Sequence, residues 1–326
     1  MLALAAVPVA GVVGAIAGTS GALAQQAKVP TIGLLWTDIV RPSPLAATLL
    51  EALRVKGYVV GRNIQVEDRV VLEGYGGMAE NAAQLVRAGV DVIFAFGTTA
   101  SVAAAKATKK IPIVMILGAD PVALGLVESL SHPGTNVTGV TTISFELTAK
   151  RFQLLHELIP KMSRMGVLLA TGSSASPSNR QELEIAAKAV RLQLHVAEVR
   201  SPEEFNAAFS DLEKASVDGL YVPASSMMSA NRSQLIGLAA KHRLPALYAD
   251  RRYVDSGGLM FYGPNIYESF AMATSHVDRI LKGTQPSDLP IEQTNRIELV
   301  INLKTASALG IKIPQSVRIR ADEIIE

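Results

Sequence analysis

The sequence predicts an α/β fold of two doubly wound parallel-sheet lobes of like topology, joined by a multi-strand hinge. Three observations predict it. From Val29 onward, short apolar runs alternate with helical patterns, the βαβ order that buries a parallel sheet between helices. The pattern restarts near Met165 with similar spacings. The chain has 326 residues, 49% hydrophobic and 18% charged, enough for two folded domains.

The first segment reads as an address rather than as structure. No charged side chain precedes Lys28. An apolar run at 2–16, small residues at 18–21 and the ending Ala22-Leu23-Ala24 have the form of a signal peptide, with no Lys or Arg ahead of the run. Cleavage is expected before Gln25; the other reading is a retained anchor. The expected boundaries are 1–24 for the signal peptide and 25–143 for the N-terminal lobe, with a return segment at about 256–287. The C-terminal lobe is expected at 144–255, with about 288–326.

The elements follow in order. Ile32-Gly33-Leu34-Leu35-Trp36 reads as a buried strand. Ser43-Pro44 has the form of an N-cap with Pro at the first helical position. Leu45, Leu49, Leu50 and Leu53 give that helix one apolar face, and Gly57 ends it. Strand 64–71, helix 78–88, strand 90–96, helix 99–108 and strand 111–117 complete the first half. The second half reads strand 165–169, helix 180–191, strand 193–199, helix 202–214, strand 218–222, helix 231–242 and strand 245–248. A long helix at 267–281, a strand at 296–303 and a short helix at 304–309 finish the chain. The clearest echo sets 91–99 against 218–226, each an Asp, an apolar run and a small hydroxyl-rich turn. Gly33 stands 58 residues before Asp91, and Gly166 stands 52 before Asp218. Strands crossing between lobes are expected at 137–144, around 251–257 and at 289–299.

Composition removes several function classes. With 31 Lys+Arg against 29 Asp+Glu there is no basic block to neutralise phosphates, so no nucleic-acid partner is expected. The absence of Cys excludes disulfides, thiol nucleophiles, thiolate metal sites and a lipidated N-terminal Cys. The five His form no ligand-spaced pair, so no metal is expected. No phosphate-binding Gly loop, dinucleotide fingerprint or nucleophile elbow is present. No catalytic residue and no cofactor is expected.

In open parallel sheets, ligands sit beyond the carboxyl ends of the strands. Candidate ligand contacts are therefore Trp36, Thr37 and Asp38, then Gly97, Thr98, Thr99 and Ala100, then Ala119 and Asp120. In the second half they are Thr171, Gly172 and Ser173, then Ser225 and Ser226, then Tyr248 and Asp250. Gly97 to Ala100 open a helix, where backbone N–H groups suit an anion. Trp36 offers a stacking surface with a polar N–H, or fills the core. Asp120 before Pro121 has the form of a cap.

These residues resemble the ABC-transporter substrate-binding proteins of the tryptophan/tyrosine-type family, with a type I periplasmic-binding-protein fold. The resemblance runs from about Thr31 to Glu326. It rests on Asp91-Val92-Ile93, Ile111-Pro112-Ile113-Val114, Asp120-Pro121-Val122, Gly125-Leu126-Val127 and Pro133-Gly134-Thr135-Asn136-Val137-Thr138-Gly139. It continues through Gly257-Gly258-Leu259, Leu289-Pro290-Ile291-Glu292-Gln293 and 298–306 to Arg320-Ala321-Asp322-Glu323. The resemblance implies an extracytoplasmic, periplasmic carrier, a monomer, that captures a small polar or aromatic solute between its lobes and delivers it to an inner-membrane ABC permease. One departure bears on the solute. Amino-acid-binding relatives are expected to carry an Asp after the second-lobe strand, whereas this chain has Pro223-Ala224-Ser225-Ser226. A carboxylate or neutral polar solute is then favoured over an α-amino acid. The alternatives are a periplasmic sensory or receptor protein and an exported α/β enzyme, the latter without a visible nucleophile–base constellation.

Overall fold

The structure is a computed structural model that describes residues 28–37, 43–71, 77–142, 147–171 and 176–326. The expected signal peptide lies outside the described residues, as do Asp38, Gly172 and Ser173. The first lobe runs β1 (Thr31–Thr37), α1 (Pro44–Val55), β2 (Gln65–Val71), α2 (Met78–Arg87), β3 (Val92–Phe96), α3 (Thr98–Ala107), β4 (Ile113–Leu117) and β5 (Val137–Thr141). The second opens with α4 (Thr148–Leu158) and β6 (Arg164–Ala170), then α5 (Ser176–Ala189), β7 (Gln193–Val199), α6 (Phe205–Lys214) and β8 (Gly219–Val222). It continues with α7 (Ser226–Ala230), α8 (Arg232–Lys241), β9 (Ala246–Tyr248), α9 (Arg252–Asp255) and β10 (Met260–Pro264). Then come α10 (Ile266–Leu281), β11 (Glu292–Gln293), β12 (Ile297–Asn302), α11 (Leu303–Ala308), α12 (Gln315–Arg318) and β13 (Glu323–Ile325).

Two sheets result. The first has strand order β11-β5-β4-β3-β1-β2, with every pairing parallel. The second has order β13-β12-β10-β9-β8-β6-β7, parallel except where β12 runs against β10. Alternation along β1 shows why helices cover both faces. Ile32, Leu34 and Trp36 join one core, and Leu35 joins the core on the other side. Ser43 caps α1, its Oγ accepting from the Ala46 N–H at 3.1 Å.

The internal echo has a structural cause at one end of the strands. Asp91 Oδ2 accepts from the Thr31 N–H at 2.8 Å, at the start of β1. Asp218 Oδ2 accepts from the Ser163 and Arg164 N–H groups at 2.8 and 2.9 Å, at the start of β6. Each Asp ties the first strand of its lobe to the third. The two glycines that mark the repeat are also equivalent. A Cβ on Gly33 would stand 2.9 Å from Leu85 Cδ2, and one on Gly166 2.9 Å from Leu212 Cδ2. Both are points where a helix lies directly on the strand.

Three expectations on chain path need correcting. The run around 251–257 does not cross between lobes; it forms α9 within the second. The return segment was expected at 256–287, but Met260–Pro264 pairs with β9 and β12 in the second sheet. The chain enters the first lobe only at 264–266, where α10 docks Phe270, Ala273, Val277 and Ile280 against Leu34, Leu45, Leu49 and Phe94. The tail from 288 was expected in the second lobe, yet Glu292 and Gln293 pair with Val140 and Thr141 of β5. The crossings therefore lie between β5 and α4, at 264–266 and at 294–296. The physical reason is pairing: β10 is an apolar run that fits either sheet, and its hydrogen-bond partners decide. The helices α4 and α7 were not expected at all.

Candidate binding cleft

The carboxyl ends of both sheets face each other across a cleft that encloses about 160 Å³. One water needs only about 10–15 Å³, so the space suits a solute. From the first lobe come Phe96 to Thr99 at the β3–α3 turn, Ile116 to Gly118 at the end of β4, and Thr142 after β5. From the second come Leu169 and Ala170 of β6, 223–226 and Ser229 at the β8–α7 turn, and 249–252 after β9. Phe261, Pro264 and Ile266 close it beside the middle crossing.

The two turns that echo each other in sequence meet here. Gly97 has φ +94°, and no side chain caps α3 among the described residues, so the first N–H groups of that helix are left for the cleft. A Cβ built on Gly97 would stand 3.5 Å from Ser226 Oγ of the opposite lobe. The two turns thus stand close together across the cleft, a closed arrangement.

The charged part of the wall is Asp250, Arg251 and Arg252. Both oxygens of Asp250 accept from Arg252, the closest contact being Nη2 to Oδ2 at 2.7 Å, and Ser229 Oγ donates to Oδ2 at 2.6 Å. Burial raises the Asp250 pKa, but the charge of Arg252 and the hydrogen bonds outweigh it and hold the carboxyl below the usual range. Arg251 donates to Glu323 at 2.5 Å and Glu298 at 3.4 Å, with Asp255 at 3.3 Å. Burial lowers the Arg251 pKa, and these carboxylates raise it by more.

Of the sequence candidates, Gly97, Thr98, Thr99, Ser225, Ser226 and Asp250 line the cleft. Others do not. Trp36 is fully buried in the first-lobe core, its Nε1 donating to Asp68 Oδ1 at 2.7 Å, so it presents no stacking surface. Its place on β1 turns it toward α1 rather than toward the strand end. Tyr248 is buried with its ring stacked on Tyr253 at 4.3 Å, and burial pushes its hydroxyl pKa up. Ala100 and Ala119 are buried outside the lining. Asp120 caps its own turn, accepting from the Val122 and Ala123 N–H groups. The Thr171 N–H extends the β6–β7 pairing to Val199 O at 2.9 Å. Thr37 ends β1, and its side chain lies outside the described residues.

The cleft also holds residues that the sequence reading missed. Ile116, Leu117, Leu169 and Ala249 follow the strand-end rule and were legible by it. Phe261 and Ile266 were not, because their place depends on β10 joining the second sheet. The turn at 223–226 carries no acid. The next strand end brings Asp250 into the same wall. Among the described residues, no three His, Asp or Glu side chains gather as a metal site.

Two α/β lobes, three crossings and a solute-sized cleft between strand ends define a bilobed solute-binding protein. The chain matches the family model for ABC transporter substrate-binding proteins over residues 44–325 and belongs to that family. A tyrosine-binding protein of Clostridioides difficile (strain R20291) is 29% identical over 263 residues, 81% of this chain and 75% of the relative. A conserved domain protein from Vibrio cholerae superposes with TM-score 0.84 at 27% identity, over 91% of this chain and all of that one. An ABC domain in complex with L-Trp from Streptococcus pneumonia superposes with TM-score 0.79, over 91% of this chain and 99% of that one. Its identity is 23%, so that likeness is one of fold. The resemblance drawn from the sequence motifs therefore holds. The family is one of substrate-binding proteins, typically extracytoplasmic, that serve ABC permeases with small solutes.

Proposed function

We propose that this protein carries a small carboxylate with an apolar, flat body, amino-acid-like or simple, to an inner-membrane ABC permease from the periplasm. On this reading residues 1–24 are removed and the carrier acts as a monomer. The carrying observation is the opposition of the β3–α3 turn and Ser226 across an enclosed cleft. The N–H groups of Thr98 and Thr99 receive the carboxylate, helped by the helix dipole. The hydroxyls of Thr98, Thr99, Ser225 and Ser226 complete its hydrogen bonds. Phe96, Ile116, Leu117 and Phe261 bury the apolar body. Asp250, ionised beside Arg252, is the acid at hand for an ammonium group. The tyrosine-binding relative supports an aromatic body. Solute that touches both lobes favours the closed state by its differential affinity for it.

The test is thermal unfolding of residues 25–326, refolded to strip bound solute, with L-tyrosine, L-tryptophan, benzoate, 3-phenylpropionate and D-arabinose. A matching solute at 100 times its Kd adds about 2.7 kcal/mol of stability. Stabilisation by an aromatic carboxylate is expected. Stabilisation by arabinose alone would overturn the carboxylate reading.

A further inference from the structure

We propose that Glu298 is a positioning residue that sets the balance between open and closed lobes, by holding the cleft-wall cation Arg251 against both return crossings. This rests on the solute-binding reading above, in which closure captures the solute. Glu298 sits at the start of β12, opposite Gly263 of β10, and its side chain is only 5% exposed. Neither of its oxygens is idle. Oε2 accepts from Arg251 Nη1 at 3.4 Å. Oε1 accepts from Asn265 Nδ2 at 2.6 Å and lies 3.3 Å from Arg296 Nε.

Those partners occupy three different places. Arg251 lines the cleft. Asn265 lies on the middle crossing and caps α10, its Oδ1 accepting from the Glu268 N–H at 2.9 Å. Arg296 lies on the last crossing, and its carbonyl accepts from the Asn265 N–H at 2.9 Å. One buried carboxylate therefore ties the cleft wall to two of the segments that join the lobes. Hinge motion is absorbed by a few residues at such segment ends. Rotation of the lobes must break or remake the contacts at Asn265 and Arg296. They are intact in the closed arrangement, so they hold it. Arg251 is fixed from three sides, one nitrogen each for Asp255, Glu298 and Glu323. All three partners lie in the second lobe, so Arg251 is fixed within that lobe. That rigidity makes the cleft wall and Glu298 move as a unit, so lobe rotation falls on the Glu298 contacts to Asn265 and Arg296.

The chain has no cysteine, so K109C and K214C, exposed on opposite lobes, accept a fluorophore pair in the otherwise complete chain. The readout is the interlobe distance distribution without solute, and then with L-tyrosine. E298Q is expected to raise the ratio of open to closed molecules at least about fivefold, with the circular dichroism of wild type. R251Q is expected to do the same and carries the test if E298Q does not fold. The double variant is expected to exceed neither single one, because both remove the same contact. Equal distributions in wild type and E298Q, or effects of the two variants that add, would overturn the proposal. The solute-free measurement stands apart from the carrier reading, whose own failure shows as wild type unmoved by every solute of the thermal panel.

Discussion

Asp250 and Arg252 form a pair whose side chains are 14% and 17% exposed, two residues apart at the strand end that faces the cleft. Removing one partner of such a pair leaves the other charge buried. Asp250→Ala is expected to cost on the order of 3 kcal/mol at pH 7, read from urea unfolding. The pH dependence has a definite sign. The folded carboxyl titrates below its unfolded value of about 3.9, so its contribution is present above that value and is lost as pH falls through the folded pKa. The gap between wild type and Asp250→Ala is expected to hold from pH 7 to about 5 and to shrink below about 4. A gap unchanged at pH 3 would contradict this account. Trp36, the one tryptophan, makes a second prediction at this scale. It has no exposed surface and lies outside the cleft lining. Its emission is expected to be blue-shifted, resistant to acrylamide and unaffected by solute, so it reports unfolding of the first lobe rather than binding. Strong quenching by acrylamide in the native protein would argue against that burial.

Among elements, α10 shows how the return is anchored. Its apolar stripe covers the first sheet, with Phe270 5.5 Å from Phe94 and 5.2 Å from Phe96, centroid to centroid. Its far end is held by polar contacts. Tyr58, just past α1, donates its hydroxyl to Asp278 at 3.0 Å, and Lys282 pairs with the same carboxylate at 2.9 Å. Burial, and then the bond to Asp278, push the Tyr58 pKa up to about 12. A hydrogen bond to a charged group contributes about 1.5–3 kcal/mol, so Tyr58→Phe is expected to cost about 2 kcal/mol at neutral pH. The raised pKa sets the direction. The contribution is complete below the unfolded value of about 10 and is lost as pH rises toward about 12. Denaturant curves at pH 7, 9 and 11 check it, with the two proteins converging only at the highest pH.

For the whole molecule, the question is how two lobes make one site. Each strand-end turn supplies part of the cleft wall, and the closed arrangement sets Gly97 against Ser226. Gly97→Val tests that geometry. Its φ of +94° disfavours any side chain, and a Cβ would already touch Ser226 Oγ. The substitution is expected to weaken binding of the solute found by thermal screening at least about tenfold, or about 1.4 kcal/mol. Calorimetric titration reads it. An unchanged Kd would mean that the β3–α3 turn does not contact solute.

Periodicity and end signals made most elements legible before any coordinates. Ser43-Pro44 marked the start of α1, Gly57 followed its end, and the Asp91 and Asp218 echoes marked equivalent strands. Part of the cleft was legible too, because strand-end turns in a parallel sheet face the ligand whatever their side chains. The rest was not. The run at 259–261 is apolar on either sheet, so nothing local says that β10 pairs with β9 and brings Phe261 to the cleft. Trp36 lies in an apolar strand near the cleft end, where alternation alone leaves both faces open. The sequence by itself determined what most segments are and that two like lobes exist, since secondary structure follows largely from local periodicity and backbone preference. Only the tertiary structure decided which lobe each late segment joins and which side chains meet in the cleft. Those outcomes depend on pairing between strands far apart in the chain, where the free energy belongs to the contact and not to either partner alone.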